Sequence, residues 1–203
     1  GIVLKVYEQK SKALGAFVII VLFVFYGLST LRYNKLWASE KNYCRYMLNL
    51  SPQMHIASFW LADIYMEEEN FDYAKYYYSK SIRGYKNDWE AYTNLGLIEA
   101  VLGNVEGAEM LNRKAMTLNA EAVEPKNNLA ALYIEQGEFE KAEELLFEVV
   151  EKKYYYMDAR KNLVTMYTKQ GLKREAEQMI KTILQINPQD ADVPRLIRNL
   201  NYN

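Results

Sequence analysis

Apolar residues return along this chain at helical spacing, and the whole pattern returns every 34 residues. Leu129, Leu132 and Tyr133 stand at i, i+3 and i+4; after Gly137 the same spacing resumes with Ala142, Leu145, Leu146, Val149 and Val150. That spacing lines one face of a helix, so the stretch predicts two amphipathic helices joined by a tight turn. Leu163, Met166 and Tyr167, then Ala176, Met179, Ile180, Ile183 and Leu184 repeat it one period later, and Leu61, Ile64 and Tyr65, then Ala74, Tyr77, Tyr78 and Ile82 two periods earlier.

Four columns share the period: Leu61, Leu95, Leu129 and Leu163; Ala62, Gly96, Ala130 and Val164; Ala74, Ala108, Ala142 and Ala176; and Glu69, Gly103, Gly137 and Gly171. The compact columns let antiparallel helices approach closely, and a large residue at Ala142 would wedge the pair apart. The glycines suit the left-handed conformation that closes a helix C-terminus. Glu69 stands in the same column, and its turn is expected to close otherwise.

The leading segment differs. Residues 13–31 run without an ionisable charge, and twelve of them are Leu, Ile, Val or Phe. As a helix this run spans about 28 Å, close to the ~30 Å hydrocarbon thickness, and those twelve side chains favour insertion by roughly 4 to 7 kcal/mol. A transmembrane helix over 13–31 is therefore expected, after a short basic flank at 1–12, with Tyr26, Tyr33 and Trp37 at one interface. Apolar residues on every face argue against a core helix, and no small-residue cleavage pattern follows Leu28, so an uncleaved anchor is preferred to a signal peptide. Basic residues on both flanks leave its orientation open. Gly1 and the apolar stretch after it suggest a fragment of a longer chain.

The repeat columns resemble the tetratricopeptide repeat family, whose unit is a 34-residue helix-turn-helix stacked into a right-handed superhelix. The resemblance covers residues 55–190 as units 55–88, 89–122, 123–156 and 157–190. It rests on Leu95-Gly96, the aromatics Tyr65, Tyr133 and Tyr167, the alanine column, and Pro188 closing the fourth unit. Glu99 replaces the aromatic in the second unit, and Asn112 stands where a large apolar residue is usual. Residues 32–54 read as a connecting half repeat, a second helix without its first, and 191–203 as a cap helix and tail with Val193, Leu196, Ile197 and Leu200 at helical spacing. The fold implied is all-α. The span-to-repeat junction also looks like that of GT-C-type membrane glycosyltransferases with tetratricopeptide tails, which implies an array outside the cytoplasm and a catalytic part missing from this chain.

Composition narrows the chemistry. The formal net charge of −1, from 25 basic and 26 acidic residues, gives no field to gather nucleic acid, although five of the basic residues and only Glu8 fall within 1–35. One cysteine and one histidine make an internal disulfide, a Cys/His metal site or a serine-type triad improbable. Cys44 reads as a packing residue and His55 as a helix-start residue. Glycine-rich phosphate loops are absent. No catalytic residue, metal, cofactor or small-molecule substrate is expected.

By the family's geometry, the concave groove is implied to be lined by Phe59, Asp63 and Met66; Thr93, Leu97 and Ala100; Asn127, Ala131 and Ile134; Lys161, Thr165 and Thr168. Its early units are apolar and its last more polar and basic through Lys161, Asn162 and Lys169, which points to a partner segment of mixed character. Asn94, Asn128 and Asn162 share a column and either bond a peptide backbone or bond between repeats. The 18 tyrosines include Tyr73 and Tyr76, expected to be partly exposed. Together these features predict a membrane-anchored protein-interaction module; the alternative is the repeat tail of a membrane sugar transferase.

Overall fold

The computed structural model describes residues 17–32, 34 and 38–202, and every regular element among them is a helix. Residues 17–32 form α1. The others are α2 (Glu40–Leu50), α3 (His55–Glu67), α4 (Phe71–Gly84), α5 (Trp89–Val101), α6 (Val105–Leu118), α7 (Glu124–Gln136), α8 (Phe139–Lys152), α9 (Met157–Lys169), α10 (Lys173–Ile186) and α11 (Val193–Tyr202). The second helices begin at Phe71, Val105, Phe139 and Lys173, 34 residues apart, and each packs on the first helix before it. Ala74, Ala108, Ala142 and Ala176 are fully buried at those contacts, as are Leu61, Ala62, Ala130, Leu163 and Val164. Leu95, Gly96 and Leu129 are buried with them.

All four turns close alike. Gly103, Gly137 and Gly171 are left-handed, at φ 79°, 78° and 73°, and Glu69 adopts the same conformation at φ 55°. The next residue's N–H reaches back five positions in every case: Asn70 to Tyr65 O, Asn104 to Glu99 O, Glu138 to Tyr133 O and Leu172 to Tyr167 O, at 2.8–2.9 Å. The expectation that Glu69 closes its turn otherwise is corrected: packing of α3 on α4 imposes the shared geometry, and glutamate bears the strain that glycine avoids. Side-chain caps start several helices; Asp88 accepts from Ala91 N–H at 3.1 Å and Asn104 from Gly107 N–H at 3.1 Å.

The core falls into two clusters, one around Cys44, Leu61, Tyr78 and Ile98, the other running from Val123 to Leu200. Their seam is the second unit. There Asn112 stands in the column of Tyr78, Leu146 and Ile180; it is buried, its amide donates to Ala108 O at 2.9 Å, and its Oδ1 has no partner. A Cβ on Gly96 would lie 2.7 Å from its Nδ2, so the glycine is what admits the amide. Glu99, in the aromatic column, is buried but compensated: Lys75 forms an ion pair with it and Asn104 Nδ2 donates at 2.8 Å.

At the C-terminal end α11 closes the array, burying Val193, Leu196 and Leu200; Ile197 stays exposed. At the other end α2 buries Cys44 and Leu48 against α3. Residues 1–16, Tyr33, residues 35–37 and Asn203 lie outside the description, and with them the basic flank, the first four residues of the expected span, and two of its interface aromatics, Tyr33 and Trp37. The large apolar side chains of α1 are all exposed, from Phe17 through Leu31. Among the described residues no helix is long and apolar enough to cross a membrane.

Candidate functional site

The first helices lie side by side on one face. α5 packs on α7 and α7 on α9, whereas α3 packs far less on α5. That standoff opens a cleft of about 310 Å³ lined by Phe59, Asp63, Trp89, Glu90, Thr93, Asn94 and Glu124. Three of these are carboxylates, two present aromatic rings, and none is basic.

Asp63 holds the floor. Tyr78 donates its hydroxyl to Asp63 Oδ1 at 2.5 Å, and Asn94 Nδ2 donates to the Tyr78 oxygen at 3.0 Å and lies 3.5 Å from the carboxylate. Burial pushes the Asp63 carboxyl above the usual carboxylate range, against the Tyr78 hydrogen bond. The Tyr78 hydroxyl rises far above its ordinary value through burial and the adjoining carboxylate. Phe59 meets the Tyr78 ring edge-on at 5.5 Å, so the aromatic wall rests on the same group.

Glu90 extends from the first turn of α5, where burial and the charges of Asp88, Asp63 and Glu124 raise its carboxyl. Glu124 is different: burial opposes its charge, but Lys153 Nζ at 2.9 Å and the Val123 N–H at 3.1 Å outweigh that and hold it below the ordinary value. The cleft is thus a crowd of like charges under-supplied with counter-charge. A cation entering it gains attraction strengthened by partial desolvation, and the rings of Phe59 and Trp89 add surfaces for a cationic or apolar stem.

The expected groove residues fare unevenly. Phe59 and Asp63 line the cleft; Met66 on α3 and Ala131 on α7 are half-buried outside it, and Leu97 is exposed. Thr93, at the cleft's edge, is buried, and its hydroxyl is spent on Trp89 O at 2.9 Å. Asn127 and Ile134 are buried as well, as is Thr168, so the groove does not present them freely; close packing of α7 between α5 and α9 covers that face. Lys161 is held by Asp190 at 3.1 Å and Asp192 at 2.7 Å, Lys169 by Glu135 at 2.7 Å, and Thr165 bonds Lys161 O at 3.0 Å. The basic end anticipated from the sequence is internally neutralised, and the cleft at the other end of the array is acidic and aromatic.

Two members of the asparagine column bond between repeats, Asn94 to Tyr78 and Asn162 to Asn127 Oδ1 at 2.9 Å; Asn128 makes no side-chain hydrogen bond among the described residues. Trp89, Glu90 and Glu124 are the lining residues that the groove positions missed. A signal was present, because Glu90, Glu124 and Asp158 recur at the period in the first turn of their helices. Elsewhere, the Tyr65 ring stacks with those of Tyr73 and Tyr77 and has Lys41 over it at 4.0 Å; Tyr73 and Tyr76 are exposed. His55 starts α3 and packs on Tyr85 at 5.2 Å. Cys44 is buried, which raises its thiol. Among the described residues no group of three or more His, Cys, Asp or Glu is placed to hold a metal ion.

Comparison with known proteins places this architecture. Residues 126–152 match a tetratricopeptide repeat family model. Among solved structures, the chain is similar to YrrB, described as a TPR protein with an unusual peptide-binding site, at 19% identity and TM-score 0.62 over 84% of this chain and 87% of that one. It is similar to TTC0263, a thermophilic TPR protein of Thermus thermophilus, at 20% identity and TM-score 0.70 over 87% and 96%. The Cut9 and Hcn1 hetero-tetramer of the APC/C matches at 18% identity and TM-score 0.73 over 87% of this chain but 35% of that one. No curated protein matches by sequence. The fold is that of tetratricopeptide repeat proteins.

Proposed function

We propose that this tetratricopeptide repeat fold serves as a docking module whose cleft between α3 and α5 takes an extended, positively charged segment of another protein. The observation that carries the proposal is the cleft lining: Asp63, Glu90 and Glu124 beside Phe59 and Trp89, with no basic residue. The peptide-binding site ascribed to YrrB, a protein of the same architecture, supports a peptide as the class of ligand. No catalysis is assigned. The docking module is preferred over the sugar-transferase tail because the cleft is a binding feature that this chain itself carries.

The proposal includes a membrane tether through residues 13–31, supported by their uncharged run and by the exposed apolar side chains of the described part. Tethering raises the effective concentration of partners in the same membrane, so modest cleft affinity suffices. The side of the membrane, outside the cytoplasm, rests on the resemblance of the junction alone. Release of the full chain from vesicles by alkaline carbonate would remove the tether, and protease digestion of sealed vesicles assigns the side.

Titration calorimetry of the full chain with an Arg/Lys-rich decapeptide and its Glu-substituted counterpart tests the cleft. Binding is expected for the basic peptide only, weakening with salt, and at least tenfold weaker in Glu90→Lys or Trp89→Ala. Affinity also falls on acidification, beginning above the ordinary carboxylate range because the Asp63 and Glu90 carboxyls are raised. Equal affinity for both peptides sinks the proposal.

A further inference from the structure

Among the described residues the array is closed by α11 at one end and uncovered at the other. α4, α6, α8 and α10 each pack on a first helix that precedes them, whereas among the helices α2–α11 the main partner of α2 is α3, which follows it. Where its own first helix would lie there is a cavity of about 400 Å³ whose walls include Cys44, Trp60, Ile64, Glu40 and Glu67. Trp60 is 52% exposed there and Ile56, one turn earlier on α3, 48%. At the opposite end the equivalent apolar surface is covered by α11.

The chain's own preceding segment does not fit that cavity. One period before α3 stand residues 21–33, and in the compact column of Ala62, Gly96, Ala130 and Val164 that segment offers Leu28. Opposite it, in the column of the four buried alanines, α2 offers Glu40. A leucine against a carboxylate denies the close approach that the other units make. The described side chains of α1 are accordingly exposed, apart from a partly covered Ser29.

What fits instead follows from the rim. The cavity walls carry Glu40, Asp63 and Glu67 and no basic residue, and among the described residues neither Glu40 nor Glu67 is in an ion pair. We propose that this open end docks an amphipathic helix of a partner protein, about the 13 residues of this chain's own first helices, with apolar side chains on Trp60 and Ile64 and Lys or Arg facing Glu40 and Glu67. The partner helix acts as a surrogate first helix, completing the half repeat in trans. The surface is separate from the Trp89 and Glu90 side of the cleft.

Two stapled, labelled helices serve as probes against the full chain by fluorescence anisotropy: the α9 sequence MDARKNLVTMYTK, with three basic residues and one acidic, and the α7 sequence EPKNNLAALYIEQ, with one basic and two acidic. The α9 helix is expected to bind at least tenfold more tightly. The exposed pair Glu40→Lys, Glu67→Lys, its helicity and melting checked by circular dichroism, reverses that preference, while Trp89→Ala leaves both affinities unchanged and so separates this surface from the cleft. Absence of binding, equal affinities, or loss through Trp89→Ala with none through the charge reversal overturns the proposal. Self-association of the chain that the charge reversal abolishes, with neither helix bound, assigns the surface to a second copy and overturns it also.

Discussion

Lys126 on α7 is buried and ion-paired with Glu148 on α8; one period later the buried cation is Arg160, and Thr182 stands where the carboxylate would be. Arg160 Nε and Nη1 have no hydrogen-bond partner, burial pulls the guanidinium below its usual range, and the ring of Tyr154, 4.8 Å away, is its visible compensation. An unpaired buried charge is costly. Thr182→Glu is expected to stabilise by about 1.5 to 3 kcal/mol, the range of a hydrogen bond to a charged group. In an Arg160→Met background the gain should vanish, a double-mutant cycle read by urea unfolding. A gain that survives there means the glutamate acts elsewhere.

Glu69 repeats the left-handed turn of three glycines without their freedom. Holding a side chain in that conformation costs roughly 1 to 2 kcal/mol, partly offset by the greater entropy that glycine loses on folding. Glu69→Gly should therefore raise stability by about 0.5 to 1 kcal/mol, and Gly137→Glu should lower it comparably. Denaturant midpoints measure both; a destabilised Glu69→Gly would show that the carboxylate holds the turn.

Asn112 leaves Oδ1 unsatisfied in a column otherwise filled by Tyr78, Leu146 and Ile180. Replacing a half-satisfied buried amide with an apolar group of similar size removes the desolvation penalty. Asn112→Leu is expected to stabilise by about 1 to 2 kcal/mol and to join the two core clusters, sharpening the calorimetric transition. Destabilisation would mean that the space beside Gly96 admits only the flat amide.

Glu99 links stability to pH. Lys75 first, then Asn104, hold its carboxyl below the ordinary 4.5. A depressed folded value means that the contribution is complete above the unfolded value and is lost as pH falls through the folded one. The stability difference between the native chain and Glu99→Gln should hold constant near pH 7 and shrink below about pH 4.5. A difference that grows on acidification would reverse the sign and refute the pairing.

The repeat register was legible because columns such as Ala74 to Ala176 report backbone approach, which a period in the sequence expresses directly. Glu69 misled because turn geometry is set by how α3 lies on α4, and packing overrode the residue's own preference. The cleft was half legible. Phe59 and Asp63 followed from position in the first helix, whereas Trp89, Glu90 and Glu124 lie in the first turns of α5 and α7, and reach the site only because α3 stands off α5. Lys161 was misjudged for the same kind of reason: its counter-ions Asp190 and Asp192 come from the segment before α11, at and just past the end of the fourth unit, where the groove positions do not reach.

The identical closure of the four turns bears on how such a chain changes length. Because Phe71, Val105, Phe139 and Lys173 open equivalent helices at one interval, a tandem duplication or excision of 34 codons, begun anywhere in the array, rejoins every column in phase. Unequal recombination can thus lengthen or shorten the coding region by whole units, and the ligand-facing surface grows or contracts by the same quantum.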